Sequence, residues 1–209
     1  MTRISALGDT ALLLPASLAL LAYLAATRRW SLASGFGLAL LAGGATTLGA
    51  KLLFNACGTE ITTLDIISPS GHASFSATVY GSVAIAVSVG RTGFQRASIR
   101  IGAVALVAAI AASRVALGWH SVPEVAFGLA VGAAAVSIFG WLHDRAGRPK
   151  LPLPPLAVGF AVLLVLVGGR HFTPETHIVR LAREVSSRLD VCGTAPTAQA
   201  DLRAARRDR

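Results

Sequence analysis

The stretch from Ser113 to Glu124, SRVALGWHSVPE, joins two long apolar runs and carries polar or charged side chains at the edge of each run. Arg114 closes the run before it, and Gly118 interrupts helical spacing just before His120. Residues 121–124 have the form of a helix-capping box with proline in the first turn. The stretch therefore predicts a turn between two helices, with an arginine and a histidine at the same end of both.

Six apolar segments of membrane-spanning length follow one another along the chain. Each is close to the ~20 residues needed to cross a hydrocarbon core of ~30 Å, and backbone groups in lipid are satisfied within a helix. We therefore expect an all-α, polytopic membrane bundle with about six transmembrane helices. Gly128 and Gly132 fit a dimer motif, although close packing within one bundle is favoured. The segments cover approximately residues 10–27, 32–50, 73–90, 99–117, 122–142 and 151–169.

The composition also favours a membrane protein. Hydrophobic residues make up 54% of the 209-residue chain and charged residues only 14%, whereas soluble domains carry about 25% charged residues. The net charge of +9 is compatible with nucleic acid or anionic lipid as partner. Because the apolar runs favour anionic lipid over nucleic acid, we expect membrane lipids as partners and no nucleic acid. The sequence does not predict an oligomeric state.

Basic side chains concentrate in alternate loops of the predicted bundle. The positive-inside rule places the loops of this basic set in the cytoplasm. We therefore expect a protein integral to the cell (inner) membrane, with the loops that contain residues 69–72 and 113–124 facing the periplasm or exterior. The basic set comprises Arg28, Arg29, Arg91, Arg96, Arg100, Arg145, Arg148 and Lys150.

The chain divides into a membrane domain over residues 1–170 and a polar tail over residues 171–209. Helical spacing of apolar residues after Pro174 is compatible with an interfacial helix or with a solvated helix packed on the bundle. The end of the tail is expected to be disordered. Cys57 and Cys192 are too few for a disulfide scaffold or a zinc site, and whether they pair stays open.

A polar motif, Pro69-Ser70-Gly71-His72, opens the third apolar segment. Backbone N–H groups at a helix start bind anions, and Gly71 lets an oxyanion approach the backbone closely. Ser70 adds a hydroxyl donor, and His72 can protonate an oxygen. The alternative is a helix-capping serine followed by a flexible glycine and an interfacial histidine.

The Ser113–Glu124 stretch supplies groups that complement this anion site. Arg114 at the end of an apolar helix is costly in lipid and indicates function, unless its side chain snorkels to the interface. A neutral His120 imidazole can attack phosphorus when a carboxylate holds its other nitrogen. Glu124, one helical turn later, is placed to be that carboxylate. Glu124 alternatively serves only as a helix cap, or fills both roles.

Lys51 ends the second apolar segment, where the loop before Pro69 begins. A lone lysine there is typical of an interfacial anchor, so its assignment to the site depends on the other motifs. His143, His171 and His177 lie in polar flanks and are expected to be solvated. The sequence contains neither metal-ligand spacing nor a glycine-rich nucleotide loop, so we expect no metal and no cofactor.

Together these motifs resemble the type-2 phosphatidic acid phosphatase superfamily. The family pattern is Lys, six residues and Arg-Pro; then Pro-Ser-Gly-His; then Ser-Arg, five residues, His, three residues and Asp. The second part is complete at residues 69–72, and the third at Ser113, Arg114 and His120, with Glu124 in place of Asp.

The first part of the family pattern is incomplete in this chain. Lys51 fits, but Gly58-Thr59 stand where Arg-Pro is expected. The predicted helices over residues 10–142 fit the family, and the resemblance does not extend to the tail.

The resemblance implies an integral membrane phosphatase that hydrolyses a lipid phosphate monoester or diphosphate through a phosphohistidine, without a metal. It assigns His120 as nucleophile, Glu124 as the group that orients it and His72 as proton donor to the leaving group. A lipid phosphotransferase and a non-catalytic protein that binds anionic lipid at a decayed site are the alternatives. Soluble haloperoxidases share the pattern but are disfavoured by the six apolar runs. The implied phosphate-binding residues are Lys51, Ser70, Gly71 and Arg114.

Overall fold

The structure, a computed structural model, describes residues 2–57, 68–151 and 159. Within these residues every regular element is a helix, so the all-α prediction is confirmed. The predicted segment 151–169 lies almost wholly outside the described residues, as does the tail. The helices are α1 (Thr2–Ala6), α2 (Thr10–Ala26), α3 (Trp30–Cys57), α4 (Gly71–Val87), α5 (Gly93–Ala116) and α6 (Val122–Arg145).

Four stretches of the described chain are long and apolar enough to cross a membrane. A helix of 24 residues, such as α5 or α6, is about 36 Å long, which exceeds the ~30 Å hydrocarbon core. The chain is therefore a membrane protein, and the predicted six spans agree roughly with the structure. The four stretches are Ile4–Ala26, Trp30–Phe54, Gly93–Ala116 and Val122–Arg145.

Two helices extend well beyond the apolar runs that predicted them. Helix α3 continues to Cys57, so Lys51 lies inside the helix and not at its end. Helix α5 begins at Gly93 rather than near residue 99, because Thr92 and Gln95 form a capping box. The backbone N–H of Gln95 donates to Thr92 Oγ1 over 3.3 Å, and Gln95 Oε1 accepts from the Thr92 N–H over 3.4 Å. Capping, rather than burial, sets this helix start.

Helix α4 is central among the described helices, because it packs against α2, α3, α5 and α6. Its buried side chains are mostly small, and many carry a hydroxyl group. Thr47 Oγ1 on α3 lies 2.8 Å from Ser74 Oγ, and Thr78 Oγ1 donates to the Ser74 carbonyl over 2.9 Å. Small residues with satisfied hydroxyls let membrane helices approach closely.

Two glycines set the approach of α6 to α4. A Cβ at Gly128 would lie 2.5 Å from the carbonyl oxygen of Ser70, and a Cβ at Gly132 would lie 2.5 Å from Ala77 Cβ. Both glycines lie on one face of α6, since they are four residues apart. The favoured interpretation of this spacing, close packing within the bundle, is therefore confirmed.

The predicted basic loops meet at one end of the bundle, opposite to the end that carries His120. The Arg29 guanidinium donates to the carbonyl oxygen of Lys150. Gly90, with a φ of +73°, lies so close to Lys150 that a Cβ there would be 2.6 Å from Lys150 Cε. Arg100 Nε donates to Ser88 Oγ over 3.3 Å at the same end.

His143 is buried, so the prediction that it is solvated was wrong. Its exposed fraction is 3%, and its ring stacks on Phe139 with centroids 5.4 Å apart. Phe139 and His143 are one turn apart on the same face of α6. The buried face therefore continues one turn beyond the apolar run. His171 and His177 lie outside the described residues.

We expect Gly132→Ala to lower the free energy of unfolding by about 1–3 kcal/mol, because overpacking a tight helix contact has that cost. The matched control is Gly44→Ala on α3, where nothing lies within 4 Å of the added Cβ. That control is expected to be neutral or stabilising by up to about 1 kcal/mol, from helix propensity. Thermal unfolding of both variants in one detergent would measure the difference, and equal melting temperatures would contradict the packing assignment.

Candidate active site

The start of α4 is fixed by Ser70. Its side chain accepts the N–H of Ala73 over 3.5 Å, and its own N–H donates to the carbonyl oxygen of Glu124 over 3.1 Å. The side chain is fully buried. Ser70 is therefore a helix-capping serine, as the alternative interpretation of the motif predicted. Gly71 and His72 consequently form the first turn of α4, at the positive end of the helix dipole.

The carboxylate of Glu124 joins three parts of the site. Its Oε2 accepts from His120 Nδ1 over 2.9 Å and from the Ser121 N–H over 3.0 Å, and its Oε1 accepts from the Ser68 N–H over 2.8 Å. The Ser121 hydroxyl in turn accepts the N–H of Glu124, which completes a capping box. Glu124 is only 1% exposed. The residue therefore caps α6 and holds His120 at the same time.

The contact with Glu124 decides which nitrogen His120 presents to a substrate. Because Nδ1 donates to the carboxylate, its proton stays there and Nε2 carries the lone pair. The imidazole side chain is 9% exposed. A basic nitrogen oriented by a buried carboxylate is the arrangement that nucleophilic catalysis requires.

A tight turn at Gly118 carries the chain from α5 to His120. Gly118 has a φ of +67°, in the left-handed region that favours glycine after a helix end. The N–H groups of Trp119 and His120 both donate to the carbonyl oxygen of Arg114, over 3.1 Å and 3.3 Å. The helix break predicted at this position is confirmed, and it ties His120 to Arg114 through the backbone.

The guanidinium of Arg114 is buried and held on two sides. Its residue exposure is 8%, its Nη1 donates to Ser5 Oγ over 3.1 Å, and its Cζ lies 4.1 Å from the ring centroid of Trp119. A snorkelling arginine would instead extend its charge into water. The structure thus favours the functional interpretation of Arg114.

Lys51 lies beside the start of α4 and is 5% exposed. A Cβ at Gly71 would be 3.5 Å from Lys51 Cε, so the lysine side chain runs along the first residue of that helix. An interfacial anchor would present its ammonium group to water. The burial of Lys51 therefore agrees with its assignment to the site rather than with the anchor alternative.

The segment before α2 closes one side of the site, and no pattern in the sequence predicted this contact. A Cβ at Gly8 would be 2.6 Å from Ile110 Cγ2 and 3.7 Å from His72 Cδ2. Tyr80 Oη donates to the carbonyl oxygen of Leu7 over 2.8 Å. The local sequence signal in this segment is the N-cap of α2, where Asp9 accepts the Ala11 N–H over 2.9 Å. It predicts the start of the helix and not the contact with the site.

All the predicted site residues gather at this end of the bundle. Contacts join Glu124 to His120 and to the start of α4, the backbone joins His120 to Arg114, and Lys51 lies against Gly71. The segment Gly58-Thr59, where the family pattern has Arg-Pro, lies outside the described residues, as do the side chains of Cys57 and Cys192. The residues gathered here are Lys51, Ser70, Gly71, His72, Arg114, His120 and Glu124.

We expect Glu124→Ala to destabilise the protein more than Ser121→Ala. The second change removes one N-cap hydroxyl, which costs about 1 kcal/mol. The first change removes the carboxylate that accepts from His120 and Ser121, and it leaves the buried N–H of Ser68 without its acceptor, which alone costs about 1–3 kcal/mol. Thermal unfolding of the two variants would measure this order, and a larger loss in Ser121→Ala would contradict it.

Comparison with known proteins agrees with this geometry. A family model described as the PAP2 superfamily matches residues 32–148, more than half of the 209-residue chain. The chain is similar to an uncharacterized 22.5 kDa protein in the cps region of Klebsiella pneumoniae, with 34% identity over 155 residues, which cover 70% of this chain and 71% of that protein. No solved structure shows a significant match. The family match covers α3 to α6 and with them every predicted site residue, so the chain belongs to the PAP2 superfamily.

Proposed function

We propose that this protein is an integral membrane phosphatase that hydrolyses a lipid phosphate through a phosphohistidine intermediate. Membership of the PAP2 superfamily supports phosphatase-type activity in general. The single observation that carries the proposed phosphohistidine mechanism is the 2.9 Å hydrogen bond from His120 Nδ1 to Glu124. It leaves the lone pair on Nε2, and it stabilises the positive charge that the imidazole acquires on bonding to phosphorus.

The proposed reaction has two steps. In the first, His120 Nε2 attacks phosphorus, the bond from phosphorus to the lipid oxygen breaks, and His72 donates a proton to that leaving oxygen. In the second, a water molecule gives a proton to His72 and attacks phosphorus, and the P–N bond breaks. Inorganic phosphate leaves, and both histidines return to their starting states.

Two buried cations and a helix start would hold the phosphoryl oxygens. Lys51 and Arg114 bring positive charge, and the backbone at Gly71 adds the N-terminal end of α4. Charge that develops on these oxygens in the transition state is stabilised by groups already in place. The Ser70 hydroxyl, which caps α4, is assigned to this set by its motif.

A lipid substrate is supported by the position of the site at the end of apolar helices. Trp119 and Val122 beside it are 51% and 65% exposed, which offers apolar surface to an acyl or isoprenoid chain. Because Gly58 replaces the family arginine, the site has fewer cations for a diphosphate headgroup, which carries more negative charge than a monophosphate. We therefore propose a preference for lipid monophosphates over diphosphates.

The site is proposed to face the periplasm or exterior. The support is the cluster of basic loops around Arg29, Arg100 and Lys150 at the opposite end of the bundle. Such clusters stay on the cytoplasmic side of the cell membrane.

We expect His120→Ala to abolish phosphate release, because no neighbouring group replaces the nucleophile. Arg114→Ala should lower kcat by about 10²–10³, the scale of a lost oxyanion contact. Phosphate release from a panel of lipid monophosphates and diphosphates, with a chelator present, measures both. The chelator should have no effect, because the proposed phosphohistidine mechanism uses no metal.

The matched control is His143→Ala, which removes a buried histidine from the far end of α6. It should keep most of the activity per folded molecule. Full activity in His120→Ala would overturn the mechanism. Transfer of phosphate to a second lipid without release would indicate the phosphotransferase, and binding of lipid without turnover would indicate the non-catalytic alternative.

Orientation is testable with two single cysteines in a background where Cys57 and Cys192 are replaced by serine. Trp119→Cys, at the site end, should react with a membrane-impermeant thiol reagent in intact cells. Arg148→Cys, at the basic end, should react only after lysis. The reverse pattern of labelling would show the opposite orientation.

A further inference from the structure

Ser5 contacts the site from outside the region matched by the family model. It lies in α1, whereas the match begins at residue 32. Its Oγ accepts a hydrogen bond from Arg114 Nη1 over 3.1 Å, and the residue is only 3% exposed. None of the family motifs includes this serine.

The chain on either side of Ser5 is held against the bundle, so the contact rests on a fixed support. Tyr80 on α4 donates to the Leu7 carbonyl. Gly8 packs so closely on Ile110 of α5 that a Cβ would meet its Cγ2 at 2.6 Å. Asp9 then caps α2. These contacts place Ser5 beside Arg114 independently of the hydrogen bond between them.

The chemistry of the acceptor suits an arginine that must bind an anion. A serine oxygen orients the guanidinium, while the Trp119 face, 4.1 Å from Arg114 Cζ, limits its rotation. A carboxylate in the same place would also orient the guanidinium, but would neutralise the charge that attracts phosphate. The Ser5 hydroxyl orients the guanidinium without neutralising its positive charge.

We propose that Ser5 is a positioning residue that orients Arg114 for binding of the phosphoryl group. The proposal rests on the proposed function, since it takes Arg114 as a phosphate ligand. It extends the site beyond the family motifs to the N-terminal segment of this chain, which the family match does not include.

The experiment compares the full-length wild type with Ser5→Ala, Ser5→Asn and Ser5→Asp in detergent. Each is measured for KM and kcat on a lipid monophosphate, for the Kd of inorganic phosphate and for melting temperature. The matched control is Ser17→Ala, since Ser17 is also a buried N-terminal serine but its Oγ makes no hydrogen bond within the described residues.

Ser5→Ala should raise KM and the phosphate Kd by about three- to tenfold, the factor of one ordinary hydrogen bond. Ser17→Ala should leave both unchanged. Asn and Asp have nearly the same size and both accept from arginine, so their difference isolates charge. Ser5→Asp should bind phosphate more weakly than Ser5→Asn while melting at the same or a higher temperature. A purely structural role would make affinity and stability fall together.

The outcomes separate this proposal from the proposed function. If the wild type turns over lipid and Ser5→Ala keeps its KM and Kd, the role of Ser5 is wrong and the phosphatase assignment stands. If the wild type binds inorganic phosphate without turnover, the phosphatase assignment fails, and the Kd of Ser5→Ala still decides the role of Ser5. A wild type that does neither overturns both.

Discussion

The buried carboxylate of Glu124 is the constraint on which the rest of the site depends. A charge that is 1% exposed is tolerated only when donors surround it, and here the donors come from His120, Ser121 and Ser68. The turn after α5, the start of α6 and the chain entering α4 must therefore converge on one point. The orientation of His120, the proposed nucleophile, follows from the hydrogen bonds that the buried Glu124 carboxylate requires.

Close packing of α4 and α6 makes this convergence sterically feasible. Gly128 and Gly132 leave room for the Ser70 carbonyl and for Ala77, and the hydroxyl groups of Ser74 and Thr78 on α4 form hydrogen bonds within the bundle. Such a helix gains little from lipid contact. Its small residues allow one motif to approach the other, which explains why α4, with only 17 residues, is the most central of the described helices.

The sequence predicted the described helices well, because hydropathy and capping are local properties, and the residues of the predicted motifs lie together at one end of the bundle. It underestimated the lengths of α3 and α5. The length of an apolar run indicates how much of a helix contacts lipid, and it does not show whether the helix continues beyond the lipid. It misjudged His143 because burial against Phe139 depends on which face of α6 meets its neighbours. The contact of Ser5 with Arg114 has no sequence signal at all, because it joins positions that are adjacent only after folding.

The turn at Gly118 has a mechanical consequence. Because Trp119 and His120 both donate to the Arg114 carbonyl, the backbone couples the proposed nucleophile to Arg114, whereas His72 lies in the first turn of α4. Bilayers of different thickness change the tilt of spanning helices. In the proposed mechanism, such tilting reaches the distance between His72 and His120 through the contacts of Glu124 with Ser68 and Ser70, so the thickness of the surrounding membrane bears on departure of the leaving group.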